Sequence, residues 1–273
     1  MESPKTKVKT LSGLANVNVE LTSRCNKDCW ICGRRERDRI YKDLQYGDMA
    51  FEIVESIARQ LEPGIIVQLH NNGEPLLYPR FKEAVSLFKK RGIVTNIVTN
   101  GKLIVEKANE IIGYLDTMSI SIIENDPKAD NQLNIIKNFL EKKGRRKPFT
   151  SLRFVGRVNE EKYKDIGVLK IRRILHSPKG SFDYQRKNPT IPEIGICLDF
   201  LHHLAIDRRG DVSVCVRFDP ERELVLGNIK KDKLADLWNS EKRRRLLELH
   251  ISGKREDIPF CNKCHFWGVP TGE

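Results

Sequence analysis

Cysteine is the residue type in this sequence that is best suited to bind metal, and its seven cysteines fall into two groups. The first group, Cys25, Cys29 and Cys32, forms the pattern CxxxCxxC. Three thiolates on one short loop can hold three corners of a cubane [4Fe-4S] cluster and leave the fourth iron without a protein ligand. That iron can then bind a small molecule. Two alternatives stay open from the spacing alone, a structural zinc site and chance clustering of unrelated thiols.

The second group consists of four cysteines in the C-terminal part of the chain, which are Cys197, Cys215, Cys261 and Cys264. Four thiolates can surround a zinc ion or a second [4Fe-4S] cluster, and the spacing of the residues does not choose between them. Structural disulfides are rare in a reducing compartment. We therefore expect both groups of cysteines to bind metal.

Repeated strand-then-helix units over residues 1–180 position the first cysteine group. This order builds a parallel sheet with helices packed on it. Apolar residues recur at helical spacing over residues 54–61, 104–115 and 133–140, and these stripes are expected to face the core. Ligands of parallel sheets bind at the carboxyl ends of the strands, and CxxxCxxC directly follows the first predicted strand. The predicted strands are residues 16–21, 65–69, 93–99, 117–123, 151–158 and 168–174.

The C-terminal region begins with a change in amino-acid composition. Residues 177–192 are rich in Ser, Pro, Gly, Asn and Lys, which is typical of a linker. Beyond them, the sequence predicts a hairpin that turns at Gly210 and one amphipathic helix over residues 234–250. This region has too few apolar residues for a robust core of its own, so we expect a metal staple. The sequence therefore predicts two domains, residues 1–180 and residues 181–273.

Three motifs in order resemble the radical S-adenosylmethionine (SAM) superfamily, whose hallmark is CxxxCxxC after the first strand of a partial (β/α)6 barrel. The segment Asn72-Gly73-Glu74-Pro75 resembles the GGEP segment of that family, and Thr99-Asn100-Gly101 resembles another recurrent segment. Asn72 and Ile31 depart from the family pattern, but neither departure removes a ligand. The resemblance implies an α/β fold, a partial (β/α)6 barrel with a small C-terminal β-hairpin plus helix iron-sulfur domain.

The same resemblance implies which residues contact SAM. The segment around Glu74 would bind the SAM amino group through its backbone and the Glu74 carboxylate. Ser121, or Ser119 on the same strand, falls where the family often contacts the ribose, and Arg153 could meet the SAM carboxylate. The residues implied to bind SAM are Gly73, Glu74, Pro75, Asn100, Ser121 and Arg153.

A second resemblance covers the C-terminal region. The stretch Gly227-Asn-Ile, followed by Leu237-Trp238-Asn239-Ser240 and a terminal CxxC, looks like the SPASM/Twitch extension of radical SAM enzymes. Four cysteines match the shorter Twitch form, which holds one fully ligated auxiliary cluster. The resemblance therefore implies that the first three cysteines bind a SAM-cleaving cluster and the other four an auxiliary cluster. The implied cofactors are two [4Fe-4S] clusters and SAM.

The activity is also implied by the resemblance. A reduced first cluster would cleave SAM to a 5′-deoxyadenosyl radical, which takes hydrogen from an unactivated carbon. The two clusters use all seven cysteines, so no thiol is left to quench a substrate radical as an epimerase requires. A closed second cluster can instead accept an electron. We therefore expect an oxidoreductase that dehydrogenates an alcohol of a sugar- or cyclitol-like molecule, and the chain resembles the aminocyclitol dehydrogenase type most.

Two other functions stay open. Modification of a peptide or protein side chain is the nearest alternative, although such relatives often carry further cysteines or a peptide-recognition domain. A zinc-stabilised nucleic-acid-binding protein would use the formal charge of +12 for phosphate contacts. That alternative leaves the strand-helix order unexplained, and the basic runs lack the interleaved aromatic residues that stack on bases. We therefore do not expect a nucleic-acid partner.

Charge and composition limit the remaining partners. Lys and Arg outnumber Asp and Glu by 49 to 37, which suits an anionic small-molecule substrate. Residues 1–9 lack the apolar stretch of a secretory signal, and no apolar run approaches the ~18 residues that span a bilayer, so we expect a cytoplasmic protein without a membrane partner. A flavodoxin- or ferredoxin-type protein is the expected reductant. Five further residues could lie at the barrel mouth and receive no catalytic role: His70, Arg157, Arg172, Arg173 and His176.

Overall fold

In a computed structural model of the chain, the described residues form one sheet of nine strands. The strands lie in the order β6-β5-β4-β3-β2-β1-β7-β8-β9. Neighbouring strands from β6 to β7 are parallel, and β7, β8 and β9 pair antiparallel. The structure describes residues 9–40, 45–126, 131–173, 196–215, 219, 222–262 and 264.

The six strands of the barrel and the three of the C-terminal region are short. They are β1 (Asn16–Val19), β2 (Ile66–Gln68), β3 (Val94–Thr99), β4 (Thr117–Ile123), β5 (Phe149–Val155), β6 (Leu169–Arg173), β7 (His203–Ile206), β8 (Asp211–Ser213) and β9 (Val225–Asn228). The helices are α1 (Arg34–Ile40), α2 (Phe51–Gln60), α3 (Phe81–Lys90), α4 (Ala108–Ile111), α5 (Gln132–Lys143), α6 (Leu198–His202), α7 (Leu234–Trp238), α8 (Glu241–Ile251) and α9 (Pro259–Asn262). Short 3₁₀ turns cover Pro75–Leu77, Glu160–Tyr163 and Arg255–Asp257.

The two faces of the barrel sheet differ because side chains alternate along a strand. On one face, residues such as Val17, Ile97 and Leu152 are fully buried in a single hydrophobic core. Helices supply the other half of that core, with Ile57 of α2 and Phe88 of α3 among its members. The opposite face carries polar residues and stays partly open. This arrangement confirms the predicted α/β fold and partial barrel.

All six predicted barrel strands are confirmed, with ends that differ by at most three residues. The predicted helix over residues 104–115 was too long, since only Ala108–Ile111 is α-helical, yet Ile104 and Leu115 are buried as expected. Sequence reasoning missed α3, although its apolar residues Phe81, Val85 and Phe88 recur at helical spacing and are fully buried. The predicted linker at residues 177–192 lies outside the described residues.

The predicted hairpin at Gly210 is confirmed, but it does not form a separate small sheet. Strand β7 pairs in parallel with β1, so that Asn16 lies opposite His203. The C-terminal region thus shares one sheet with the barrel strands. Helix α7 contributes to the same core as the barrel helices, and the Trp238 indole donates to the Ser12 carbonyl at 2.9 Å. Sharing a core relieves the shortage of apolar residues.

The single helix predicted over residues 234–250 was also wrong. The chain forms α7 and α8 instead, and the break falls at Asn239 and Ser240. Ser240 has an extended backbone, and its hydroxyl accepts a hydrogen bond from the Arg243 amide. Serine is a favoured N-cap because its oxygen satisfies an amide that has no partner inside the helix. Among the described residues, no helix is both long and apolar enough to cross a membrane.

Replacing Ser240 with Ala should remove this cap and cost about 1 kcal/mol of stability. For a protein of this size, that corresponds to a melting temperature lower by about 2–4 °C. Ser86→Ala is the matched control, because Ser86 lies inside α3, where alanine is the better helix former. Equal melting temperatures for Ser240→Ala and the wild type would contradict the capping role.

Candidate functional site

The first cysteine group lies on the loop that follows β1. Cys25, Cys29 and Cys32 are all free and half-buried. The Cys32 amide donates to the Cys29 carbonyl at 3.0 Å, so a tight turn joins the last two cysteines. This loop leaves the sheet at the carboxyl end of β1, where parallel sheets bind their ligands.

The thiols of this loop influence one another. Burial is the main cause that raises the pKa of Cys29 to about 12. The nearby Cys32 and Cys25 contribute to this rise, and Lys27 opposes it. Burial also raises the pKa of Cys32. Neutral thiols are therefore favoured here in the absence of a cation. A metal that coordinates sulfur deprotonates such thiols outright, and a set of three adjacent cysteines suits that chemistry.

The Gly-Glu-Pro segment packs directly against the start of the cysteine loop. The Glu74 amide donates to the Arg24 carbonyl at 2.8 Å. A Cβ atom on Gly73 would lie 1.9 Å from the Thr22 carbonyl oxygen, so only glycine permits this approach. Pro75 then begins a 3₁₀ turn. The glycine thus brings the backbone after β2 against the backbone after β1.

The Glu74 carboxylate is buried and joins two of the predicted motifs. It accepts hydrogen bonds from the Thr99 hydroxyl at 2.7 Å, the Asn100 amide at 2.8 Å and the Leu76 amide at 3.2 Å. Burial raises the pKa of Glu74, and these hydrogen bonds oppose that shift. Since a carboxylate has about four acceptor positions, one remains for a ligand. Glu74 therefore holds the β2 and β3 loops together in addition to its predicted contact with SAM.

Asn100 connects the β3 loop to the cysteine loop. Its side-chain amide donates to Asn26 Oδ1 at 2.7 Å and lies 3.8 Å from Cys25 Sγ. Gly101 next to it has φ +82, and a Cβ there would lie 2.9 Å from Ile120. Gln132 of α5 donates to the Asn100 carbonyl at 3.2 Å and to the Ser121 carbonyl at 3.0 Å. The structure thus brings Asn100 to the first cysteine of CxxxCxxC.

The loop after β4 holds the other end of the cysteine loop. Lys27, inside CxxxCxxC, forms an ion pair with Asp126, and their side chains are only 3% and 6% exposed. The Trp30 indole donates to the Glu124 carbonyl at 3.0 Å. Sequence reasoning missed this pair, because the two residues are 99 positions apart. The cysteine loop is therefore fixed by strands β2, β3 and β4.

The predicted SAM residues on β4 and β5 lie side by side. Ser121 pairs in register with Arg153, and Ser119 pairs with Ser151, whose hydroxyl lies 2.8 Å from that of Ser119. All four positions alternate with the core-facing residues, so they belong to the open face of the sheet. The structure places Ser121 and Arg153 together, and their contacts with SAM stay a prediction.

A row of amides crosses the same face and was missed from the sequence. Asn18, Gln68 and Asn96 lie in register on β1, β2 and β3, and Thr117 continues the row on β4. The Asn96 amide donates to the Thr117 hydroxyl at 2.7 Å. Asn18 is buried, and its Oδ1 accepts no hydrogen bond from any described residue. The signal was present in the sequence as polar residues at alternate positions of apolar strands.

The second cysteine group lies on the elements that surround β7 and β8. Cys197 directly precedes α6, and Cys261 lies on α9. The Cys264 amide donates to the Cys261 carbonyl at 3.1 Å, which repeats the turn between Cys29 and Cys32. Burial raises the pKa of Cys261 to about 12, and Cys264 and Cys197 add to the shift, so these three thiols are neighbours.

The fourth cysteine of this group, Cys215, lies two residues beyond the end of β8. Its amide donates to the Ser213 hydroxyl at 3.2 Å. Like Cys197 and Cys261, it is partly buried against the core. Its role as the fourth ligand stays a prediction.

Several of the five barrel-mouth residues have structural contacts, including the Arg157 amide, which donates to the Glu124 carboxylate at 2.8 Å. His70 accepts the Val98 amide at 3.1 Å through Nδ1, and the exposed Arg172 pairs with Glu160 at 2.6 Å. Arg173 is half-buried at the end of β6, whereas Arg157 is exposed. His176 lies outside the described residues.

The thiolate donors of both cysteine groups suit iron-sulfur clusters, which proteins bind mainly through cysteine. A tetrahedral zinc site with Zn–S bonds of about 2.3 Å draws its thiolates close together. Within the described part of the chain, no group of three or more His, Cys, Asp or Glu residues could hold a single metal ion. A cubane spreads its iron corners, so its cysteine sulfurs lie further apart than those around one zinc.

Comparison with known families gives two matches. Residues 19–150 match the radical SAM superfamily, and residues 197–265 match SPASM, an iron-sulfur cluster-binding domain. A radical SAM domain binds a [4Fe-4S] cluster and SAM, and a SPASM domain binds auxiliary iron-sulfur clusters. The two matches contain all seven cysteines and agree with the cofactors expected from the sequence.

Individual relatives extend over nearly the whole chain. A tungsten-containing aldehyde ferredoxin oxidoreductase cofactor-modifying protein of Pyrococcus furiosus is 26% identical, over 90% of this chain and 86% of the relative. An S-adenosyl-L-methionine-dependent 2-deoxy-scyllo-inosamine dehydrogenase of Niallia circulans is 22% identical, over 94% and 95%. The crystal structure of BtrN in complex with AdoMet and 2-DOIA has a TM-score of 0.67 and 20% identity, covering 95% of this chain and 96% of that one.

Gly73→Ala should separate the Gly-Glu-Pro segment from the cysteine loop, because the added methyl group meets the Thr22 carbonyl. Overpacking of this kind costs about 1–3 kcal/mol, so SAM affinity should fall by about tenfold or more in equilibrium binding. Gly167→Ala is the control, since a Cβ atom there meets nothing within 4 Å. Unchanged SAM affinity in Gly73→Ala would argue against this packing.

Asp126→Asn should leave the Lys27 ammonium buried without its charged partner. Breaking a buried ion pair on one side costs about 3–5 kcal/mol. We expect a lower melting temperature and less iron bound by the cysteine loop, measured by calorimetry and iron analysis. Glu161→Gln, in the exposed pair with Lys164, should change neither quantity. Wild-type stability and iron content in Asp126→Asn would count against the anchoring role.

Proposed function

From the premise that this chain is a radical SAM enzyme with a C-terminal SPASM domain, we propose that it dehydrogenates an alcohol of a sugar- or cyclitol-like small molecule. The proposal combines three supports: the cofactors, the polar face of the barrel and the dehydrogenase among its relatives. Residues 1–180 form the radical SAM domain and residues 181–273 the auxiliary domain in this proposal, although one sheet runs through both.

The seven cysteines have defined roles in the proposal. Cys25, Cys29 and Cys32 hold the cluster that binds SAM, and the four cysteines of the C-terminal region hold the auxiliary cluster. With both clusters and SAM bound, the cofactors supply a 5′-deoxyadenosyl radical and an acceptor for one electron. The Gly-Glu-Pro segment would bind the SAM amino group, which suits its position against the cysteine loop.

The observation that carries the choice of substrate is the neutral polar face of the barrel. Asn18, Gln68 and Asn96 present amides, and Ser119 and Ser151 present hydroxyls. Amides both donate and accept hydrogen bonds, as hydroxyl groups of a sugar or cyclitol require. Asn18 Oδ1 is buried without a partner among the described residues, so a substrate hydroxyl would satisfy it.

Positive charge at the edge of this face favours a substrate that also carries an anionic group. Arg153 on β5 and Arg173 on β6 are half-buried and belong to the open face by strand register. If Arg153 binds the SAM carboxylate, Arg173 adds a second positive charge to the same face, which favours an anionic group on the substrate. We therefore propose a polyhydroxylated substrate that can carry a phosphate or carboxylate.

The reaction balances as an oxidation of a secondary alcohol. A hydrogen atom leaves the carbon that bears the hydroxyl and forms a bond to the 5′ carbon of the deoxyadenosyl group. The hydroxyl then loses a proton to solvent or a base, and one electron passes to the auxiliary cluster. The product is a ketone. One electron from a flavodoxin- or ferredoxin-type reductant, the expected cytoplasmic partner, starts each cycle.

This outcome agrees with the number of cysteines. Quenching of the substrate radical by a thiol would require a cysteine that is not a cluster ligand, and the two cysteine groups use all seven. Oxidation requires only an electron acceptor. The open face of the barrel therefore has to exclude water and orient the alcohol, and the cofactors supply the redox chemistry.

The Pyrococcus furiosus relative supports a second candidate. Its name describes a protein that modifies the cofactor of a tungsten enzyme. A radical SAM enzyme acting on such a molecule would use the same cysteine groups but would require a larger substrate pocket. Two sets of incubations separate dehydrogenation from cofactor modification. One set contains aminocyclitols and sugars, and the other contains isolated organic cofactors. A ketone product equal in amount to 5′-deoxyadenosine supports dehydrogenation.

Replacing Cys29 with Ala should abolish SAM cleavage, because the SAM-binding cluster loses one of three ligands. The measurement is 5′-deoxyadenosine formed after dithionite reduction, together with iron and sulfide content. About eight irons in the wild type and about four in Cys29→Ala are expected. Wild-type cleavage by Cys29→Ala would refute the assignment of the first cluster.

Cys261→Ala should give the opposite pattern. SAM cleavage should persist because the first cysteine group is intact, whereas ketone formation should fall because the electron acceptor is damaged. Both 5′-deoxyadenosine and the ketone are measured in one assay. Continued formation of 5′-deoxyadenosine shows that the variant is folded even when ketone formation is lost. Full ketone yield by Cys261→Ala would remove the electron-acceptor role.

A further inference from the structure

Arg255 is a buried cation next to the second cysteine group. It begins the 3₁₀ turn Arg255–Asp257 and is only 6% exposed. Its guanidinium donates from Nη2 to the Cys264 carbonyl at 2.6 Å. The sequence motifs do not single it out, since it lies outside the CxxC pattern that begins at Cys261.

The guanidinium acts on more than one cysteine. Burial dominates the shifts that raise the pKa of Cys261 and of Cys197, and the charge of Arg255 opposes both. These influences place the guanidinium near the Cys261 and Cys197 side chains. Arg255 therefore lies close to three of the four cysteines in this group, counting its bond to Cys264.

The chain between Arg255 and Cys261 is held tightly. The Arg255 carbonyl accepts the Ile258 amide at 3.1 Å, and the Ile258 carbonyl accepts the Cys261 amide at 2.8 Å. These hydrogen bonds form two consecutive backbone turns, which restrain the position of the Arg255 backbone relative to the Cys261 backbone. Ile258 itself is buried in the core.

The guanidinium is buried, so its field is screened less by water than that of a surface charge. His250 is fully buried and stacks on Phe200, with ring centroids 4.8 Å apart. Burial lowers the pKa of His250 to about 4, and the charge of Arg255 contributes to the shift. His250 is therefore neutral at physiological pH. It leaves the charge of Arg255 to act on the cysteines.

We propose that Arg255 raises the reduction potential of the auxiliary cluster and so prepares it to accept an electron. A cluster with four thiolate ligands is anionic and gains a further negative charge on reduction. A buried cation that is hydrogen-bonded to the backbone of a ligand cysteine stabilises the more negative state, and local charge and hydrogen bonding around the cluster are among the factors that set its potential. The inference rests on the proposed function, since it assigns the second cysteine group to an electron acceptor.

The test is a redox titration of the auxiliary cluster alone. In the full chain with Cys25, Cys29 and Cys32 all replaced by Ala, the remaining iron signal belongs to the second cysteine group and is followed by electron paramagnetic resonance. Arg255→Gln in this background should favour the oxidised cluster about tenfold, which equals a midpoint more negative by about 59 mV for one electron. Arg255→Lys keeps the charge and should shift the midpoint less.

Arg244→Gln is the matched control, because it removes the same charge from an exposed position on α8. An unchanged or more positive midpoint in Arg255→Gln overturns the proposal, and so does an equal shift in Arg244→Gln, which would reflect net charge. If neither Arg255→Gln nor Arg255→Met retains about four irons, Arg255 is a structural requirement and the tuning role is refuted. The midpoint potential is measured without substrate turnover. A failure to detect dehydrogenation would therefore be distinguishable from a failure of the Arg255 proposal.

Discussion

The site depends on one close approach of backbone to backbone. The loop after β2 lies so near the loop after β1 that Gly73 has no room for a side chain beside the Thr22 carbonyl. The buried Glu74 carboxylate then joins this contact to the β3 loop through Thr99 and Asn100. Asn100 in turn reaches Cys25. A chain of short polar contacts thus positions the cysteine loop from three strands, and any shift of one loop is transmitted to the others.

The second organising feature is the pairing of β7 with β1. Because of it, the elements that carry the second cysteine group belong to the same sheet as the strand that leads to the first group. Helix α7 and Trp238 then bury their apolar surface in the common core. A small region that could not stabilise itself is supported by the barrel. A shared sheet also gives the elements that carry the two cysteine groups a fixed relative position.

The predictions that succeeded depended on local patterns. The repeated strand-then-helix order predicted the parallel sheet, and the cysteine patterns together with the motifs that resemble radical SAM and SPASM sequences predicted iron-sulfur chemistry. The predictions that failed concern the balance between local and tertiary forces. Residues 234–250 are periodic enough for one helix, but Ser240 caps a new helix where the chain must turn from the barrel core. Within residues 104–115, Ile104 and Leu115 are buried outside the helix Ala108–Ile111, because burial of apolar residues does not require a helix.

By itself, the sequence determined the chemistry available to this protein: two cysteine groups, a Gly-Glu-Pro turn and parallel strand-helix units, since each of these is written in residues close together along the chain. Only the tertiary structure decided how they are held. The pair of Lys27 with Asp126, the amide row from Asn18 to Asn96 and the approach of β7 to β1 join residues far apart in sequence. No local pattern encodes such contacts, because they exist only once the sheet has fixed the register of its strands.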